Sequence, residues 1–271
     1  MARRSGNRVR HLLPLLLGLS LLASSTARAD SSHLDRVLAA KELRVCAWPD
    51  YYGISYRHPH SQEMTGVDAD MARALAKDLG VGLRFVDSSF ALIVDDVTRD
   101  RCDIAMFAIA ITPAKAEKMH FAPIHLASDI QAITTRSHRR IRGWSDIDQP
   151  GVVVAVMRGT SIETAAREKF HSATLVVVDN ARARDQAVQS GRADVFLTIY
   201  PYARRMLDTA DWARAVSPAA PVHPLSHAYA MRHGDASWHA RIDAFVASIK
   251  RDGRLLASAR RHKLEAIVAA P

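Results

Sequence analysis

The chain has 271 residues, 37 basic and 28 acidic side chains, a formal charge of +9 and 48% hydrophobic residues. Five arginines and no acid fall in the first 29 residues, so the remainder carries 32 basic against 28 acidic groups, mixed in sign along its length. That excludes a nucleic-acid binder built on a clustered basic face, and no later stretch has the roughly 20 apolar residues that a bilayer-spanning helix needs.

The N-terminus reads as an export signal. Arg3, Arg4, Arg8 and Arg10 precede an apolar run from Leu12 to Ala23, and Ala27-Arg28-Ala29 supplies a small-x-small cleavage pattern before Asp30. Cleavage after Ala29 and a periplasmic location are expected. About 240 residues then remain, enough for one large domain or two smaller ones.

Beyond the leader, strands and helices alternate. Leu43–Trp48 reads as a strand, 49–66 as a turn-rich loop with Tyr51, Tyr52, Tyr56 and His58-Pro59-His60. Asp68–Leu79 reads as a helix, with Met71, Leu75 and Leu79 four apart and Gly80 as its stop. Gly82–Val86 is a strand, Leu92–Thr98 a short helix, and Asp103–Ile111 a strongly apolar strand. The pattern restarts with Ile130–Thr135 extended, Val152–Val156 a strand, and a helix to about Phe170 opened by a Thr160/Glu163 capping box. Leu175–Val178, Ala181–Gln189 and Ala193–Thr198 read as strand, helix and strand. After the Pro-rich 218–224 come a return strand, Ser226–Arg232, and a helix over 237–250 with Trp238, Ile242, Phe245 and Ile249 on one face. Such alternation implies mainly parallel sheets covered by helices.

The two cysteines, Cys46 and Cys102, both lie at strands of the exported part. An even count in an oxidising compartment predicts a Cys46–Cys102 disulfide, two buried thiols being the alternative. The run Arg136, His138, Arg139, Arg140 and Arg142 is read as a solvated surface strip. His58 and His60 have no further His or Cys at structural-metal spacing, so no metal or cofactor is expected.

Several pieces, in order, resemble family-3 extracellular solute-binding proteins: Leu43–Cys46, Gly66-Val67-Asp68-Ala69-Asp70, Arg101-Cys102-Asp103-Ile104-Ala105, Ile109-Ala110-Ile111-Thr112, Arg158-Gly159-Thr160 and Ser190-Gly191-Arg192-Ala193-Asp194. Within the family, Leu43–Cys46, the Cys102–Ala105 strand and Ile147–Val152 look like the periplasmic cyclohexadienyl dehydratase branch. The resemblance implies an α/β, two-lobed periplasmic binding protein fold of type II, with two crossover strands as hinge and a ligand cleft between the lobes. Lobe one would comprise 30–133 plus 226–271, and lobe two 134–225.

The resemblance also nominates site residues. Tyr51 stands where the family places an aromatic ring over its ligand, with Trp48, Tyr52 and Tyr56 as alternatives. Lys115 stands three past Thr112, where amino acid receptors have an arginine that clamps a carboxylate; Lys keeps the charge but not the two-toothed fork. A helix-surface lysine is the other reading. The strand before Thr112 usually carries small hydroxyl residues; here it has Phe107, Ala108 and Ala110, with Phe107 read as core. Gly159, Thr160 and Ser161 open a helix whose N–H groups can hold an anion. After Ala193–Thr198, amino acid receptors place an acid for the ligand ammonium, and the dehydratase places its general acid in the same turn. This turn reads Ile199-Tyr200-Pro201-Tyr202, with Tyr200 and Tyr202 read as an aromatic wall. Asp129, His125 and Asp50 are the substitutes within reach of that argument.

These readings predict a non-catalytic, monomeric binding protein for a small ligand with a carboxylate or other anionic group, served by an ABC permease. A prephenate or arogenate dehydratase and a sensory or accessory module are the alternatives.

Overall fold

The computed structural model describes residues 1–2 and 32–270; the leader and its cleavage after Ala29 lie outside the described residues. Residues 32–270 form two α/β layers around two sheets. The first sheet runs in the order Gly82–Asp87, Glu42–Ala47, Ile104–Ala110, Leu225–Met231 and His120–Phe121, with Leu126–Ser128 also paired to Leu225–Met231. Its first three strands are parallel, and the return strand Leu225–Met231 is antiparallel to its neighbours. The second sheet runs Thr174–Val178, Val153–Met157, Val195–Ile199, Ile130–Thr135 and Ala213–Val216, parallel over the first three strands and antiparallel over the last two.

The apolar runs in the sequence follow from burial on both faces. Val154 and Val156 enter one core cluster of the second sheet, while Ala155 between them enters the other. The helix Ala236–Arg251 covers the first sheet with the expected face, since Trp238, Ile242, Phe245 and Ile249 are all fully buried. Cys46 and Cys102 form a disulfide with Cα atoms 5.5 Å apart. Adjacent parallel strands bring them together: Cys46 pairs with Ala105, three residues past Cys102.

One helix start positions the site. Val67–Leu79 is preceded by Gly66 at φ +119°, where a Cβ would lie 2.5 Å from the Ile54 backbone. Only glycine permits that approach. It lets the Ile54 carbonyl accept the Asp68 N–H at 2.9 Å and sets the Asp68 carboxylate under the first sheet.

Three features depart from the sequence reading. The 49–66 loop holds a small antiparallel sheet, Asp50–Tyr51, Ser55–Arg57 and Met64–Thr65, whose strands are too short to show periodicity. The turn at Ile199–Tyr202 is the start of a helix, Tyr200–Thr209. Pro201 sits in its first turn, where a missing N–H costs nothing. Helices His33–Ala40 and Arg254–Arg261 add to the elements read from sequence.

Candidate functional site

Strands Glu42–Ala47 and Ile104–Ala110 end at one edge of the first sheet, where open α/β sheets bind ligands. Four rings gather there. Phe90 lies 5.1 Å from Trp48, 5.7 Å from Tyr51 and 5.2 Å from Phe107, and Trp48 lies 5.3 Å from Tyr51. Tyr51 is buried, and burial followed by the nearby Asp68 charge pushes its phenol upward. Phe107 is fully buried, as read, yet it is also the floor of this ring cluster.

Lys115 reaches the same place. It belongs to the short helix Pro113–Ala116, which Thr112 caps through its side chain. Its Nζ lies 5.8 Å over the Phe90 ring and donates to the Ala110 carbonyl at 3.5 Å. Burial lowers the ammonium's affinity for its proton. Among the ion pairs of the described residues Lys115 has no carboxylate partner. A half-buried ammonium beside aromatic faces, with no carboxylate among those ion pairs, is chemically able to pair with an anion.

Beneath the crevice lies a polar network that the sequence did not disclose. Ala108 has φ +46°, a left-handed conformation rare for a residue with a Cβ, and its N–H donates to Asp68 Oδ2 at 2.6 Å. Asp68 Oδ1 meets His125 Nε2 at 2.9 Å and accepts from the Tyr229 hydroxyl at 3.3 Å. His227, directly across the sheet from Ala110, meets Ser128 Oγ at 2.8 Å. Burial, and then the nearby His125, lowers the His227 pKa to about 4.

The second sheet contributes Ile199 and Tyr200, both packed against the first sheet's core. Tyr51, Ala108, Ala110, Thr112 and Lys115 thus lie at the same end of the first sheet, while Ile199 and Tyr200 pack against its core cluster. Among the described residues, no hydrogen bond, ion pair or ring contact joins Gly159, Thr160 and Ser161 to this group. The Gly159 N–H is already donated to Glu163 Oε2 at 2.7 Å, and Thr160 caps its own helix. Tyr202 turns away from the expected wall: its hydroxyl donates to Asp185 at 2.6 Å and its ring lies 4.4 Å from Arg184.

The substitute proton donors are engaged or remote. Asp129 accepts three backbone N–H groups, from Ile130 at 2.7 Å and from Val222 and His223 at 2.6 Å. His125 is fully buried against Asp68. Asp50 is exposed on its short strand. A separate cavity of about 360 Å³ is lined by Tyr52, Tyr56, Asp208, Arg261 and Lys263 among others; it includes the alternative aromatics Tyr52 and Tyr56 but neither Tyr51 nor Lys115. Its cations are already paired, Arg261 with Asp70 and Lys263 with Asp208, so we set it apart from the crevice. No cluster of three or more His, Cys, Asp or Glu suited to a metal occurs among the described residues. No helix among them is long and apolar enough to cross a membrane.

Known proteins resemble this chain over most of its length. Cyclohexadienyl dehydratase of Pseudomonas aeruginosa is 33% identical over 94% of this chain and 95% of its own length. The L-cystine-binding protein TcyJ of Escherichia coli K12 is 23% identical over 92% and 93%. A solved ancestral cationic amino acid solute-binding protein superposes with a TM-score of 0.73 at 27% identity, covering 85% of this chain and 99% of that one. Residues 43–264 match the defining pattern of the group, and the chain belongs to the bacterial extracellular solute-binding proteins, family 3.

Proposed function

We propose that the protein closes as two lobes on a small ligand that carries a carboxylate and an apolar or aromatic body, and delivers it to an ABC permease. The passages between lobes are drawn at Asp129 and within 217–224, near the divisions read from sequence, because Ile130–Thr135 pairs throughout with the second sheet. The observation that carries the reading is Lys115, half-buried over Phe90 without a carboxylate partner among the described residues. The ring cluster accounts for the apolar body. Ile199 in place of an acid argues against a free amino acid, whose ammonium would be buried unpaired.

A thermal-shift screen of aliphatic carboxylates, aromatic acids and amino acids tests this. A ligand at 100 times its dissociation constant stabilises by about 2.7 kcal/mol. The largest shift is expected from an aromatic or apolar carboxylate; a largest shift from arginine, histidine or glutamate would overturn the ligand class.

The second reading is a dehydratase, favoured by the 33% identity to an enzyme. Against it, a general acid must lie within hydrogen-bond reach of the departing hydroxyl; Asp129 and His125 are committed elsewhere, and Asp50 lies exposed on its short strand. Incubation with prephenate, followed by phenylpyruvate absorbance, decides between them: turnover by the purified protein would replace the binding reading.

A further inference from the structure

Both crossovers pass one carboxylate. The chain leaves the first sheet after Leu126–Ser128 and enters the second at Ile130; it returns through 217–224 to Leu225. The last rung on the first-sheet side pairs Ser128 with Leu225. Between it and the first rung on the second-sheet side, Ala132 with Val216, the two segments share no backbone ladder, and their N–H groups need other acceptors. Asp129 supplies them. One oxygen accepts from Ile130 and His223, the other from Val222. Three charge-assisted bonds on one carboxylate are stronger than neutral ones.

Side-chain bonds flank it on either side. Ser128 Oγ meets His227 on the first-sheet side, and Ser217 donates to Gln131 on the second-sheet side. Asp129 is therefore the middle of three side-chain ties across the gap between the Ser128–Leu225 rung and the Ala132–Val216 rung. Bending at either crossover alone would break bonds to the other.

We propose that Asp129 is a positioning residue for ligand capture, a pivot that makes the two crossovers bend together and restricts lobe motion to one axis. The proposal rests on the two-lobed reading above. A hinge absorbs its rotation in a few backbone torsions. With Asp129 the torsions on both segments are coupled; without it each bends independently, and the lobes also twist.

The test uses the protein from Asp30 onward with its disulfide intact. Spin labels at E117C and R182C, both exposed, report the distance between the two sheets. Amide exchange is followed at Ile130, Val222 and His223, with Ala132 and Val195 as references inside the second sheet. In D129A the distance distribution is expected to broaden at least twofold, and exchange at the three amides to rise at least tenfold with the references unchanged. D129N, which keeps an accepting oxygen, should fall between wild type and D129A and covers the case in which D129A folds poorly. Faster exchange with an unchanged distribution would reduce Asp129 to a local turn cap and overturn the pivot. A single narrow distance in wild type and both variants, under every ligand of the screen above, would instead overturn the two-lobed reading itself.

Discussion

Asp208, at the end of the second-sheet helix Tyr200–Thr209, accepts from Lys263 Nζ at 2.7 Å, and Lys263 lies in the C-terminal segment that packs on the first sheet. Among the ion pairs of the described residues it is the one that joins the two sheets' segments. Arg204 holds the same carboxylate at 2.9 Å, and the Tyr52 hydroxyl approaches it at 3.5 Å. Lys263 is well exposed, so the coupling should be modest and salt-sensitive, about 0.2–1 kcal/mol. A D208N/K263M double-mutant cycle, read by urea unfolding at low and at 0.5 M salt, should give that coupling at low salt and lose it at high salt.

Lys115 should dominate ligand affinity. K115M removes the charge while keeping the stem over Phe90, so it should weaken binding of the best carboxylate about 10–100-fold, as expected for a hydrogen bond to a charged group. K115R should retain most of the affinity. Titration calorimetry checks both, and equal affinity in K115M would place the ligand elsewhere.

His227 makes stability depend on pH. Its folded pKa, about 4, lies below its ordinary 6.5, because burial and then His125 disfavour the imidazolium; Lys115 adds to this, while Asp68 and the Ala108 carbonyl oppose it. Between those values the unfolded chain binds more protons than the folded one. The stabilisation is thus complete above about pH 6.5 and is lost as pH falls toward 4, by about 3 kcal/mol. H227N should be less stable at pH 7.5 but flatter across this window. Urea midpoints at half-unit steps of pH test the difference in slope.

The disulfide joins residues 56 apart in sequence. A loop of that length constrains the unfolded chain by about 4 kcal/mol on the chain-entropy estimate. C46A/C102A should fall short of wild type by up to that amount, and a reducing agent should lower the wild-type melting temperature while leaving the variant's unchanged.

Ala108 offers a contrast between two glycine substitutions. Its φ of +46° costs an L-residue about 1–2 kcal/mol, so A108G should be neutral or stabilising. A105G, at a regular buried position of the same strand, should destabilise by about 1 kcal/mol or more. Thermal melts of the two variants, run side by side, check the sign.

Much of the fold was legible because each strand and helix carries its own signal. The fully apolar Ile104–Ala110 and the four-residue spacing from Met71 to Leu79 are local patterns, and both elements are where those patterns put them. Tyr51 and Lys115 could be nominated through their distance from recognisable segments, and both lie against the Phe90 ring. Phe90, Asp68 and His227 were not, because each enters the site from a different segment and acquires its role only through packing. Asp68 lay in plain view within Gly66–Asp70, but nothing local reveals that its carboxylate will hold the Ala108 N–H. Tyr202 misled for the opposite reason. Its neighbour Tyr200 faces the first sheet, and the helix that begins there rotates Tyr202 onto Asp185.

The two sheets also differ in how the chain supplies them. Every strand of the second comes from the unbroken stretch 130–216, whereas the first takes its strand Leu225–Met231 from beyond that stretch and seats it between Ile104–Ala110 and His120–Phe121. As the polypeptide emerges N-terminus first, the later-made sheet can therefore close before the earlier one. Residues 42–128 must wait, with an open edge on Ile104–Ala110, until the return strand and the helix Ala236–Arg251 arrive. Truncation near residue 220 should leave one half able to fold and the other exposed, a vulnerability to aggregation and proteolysis set by the order of synthesis.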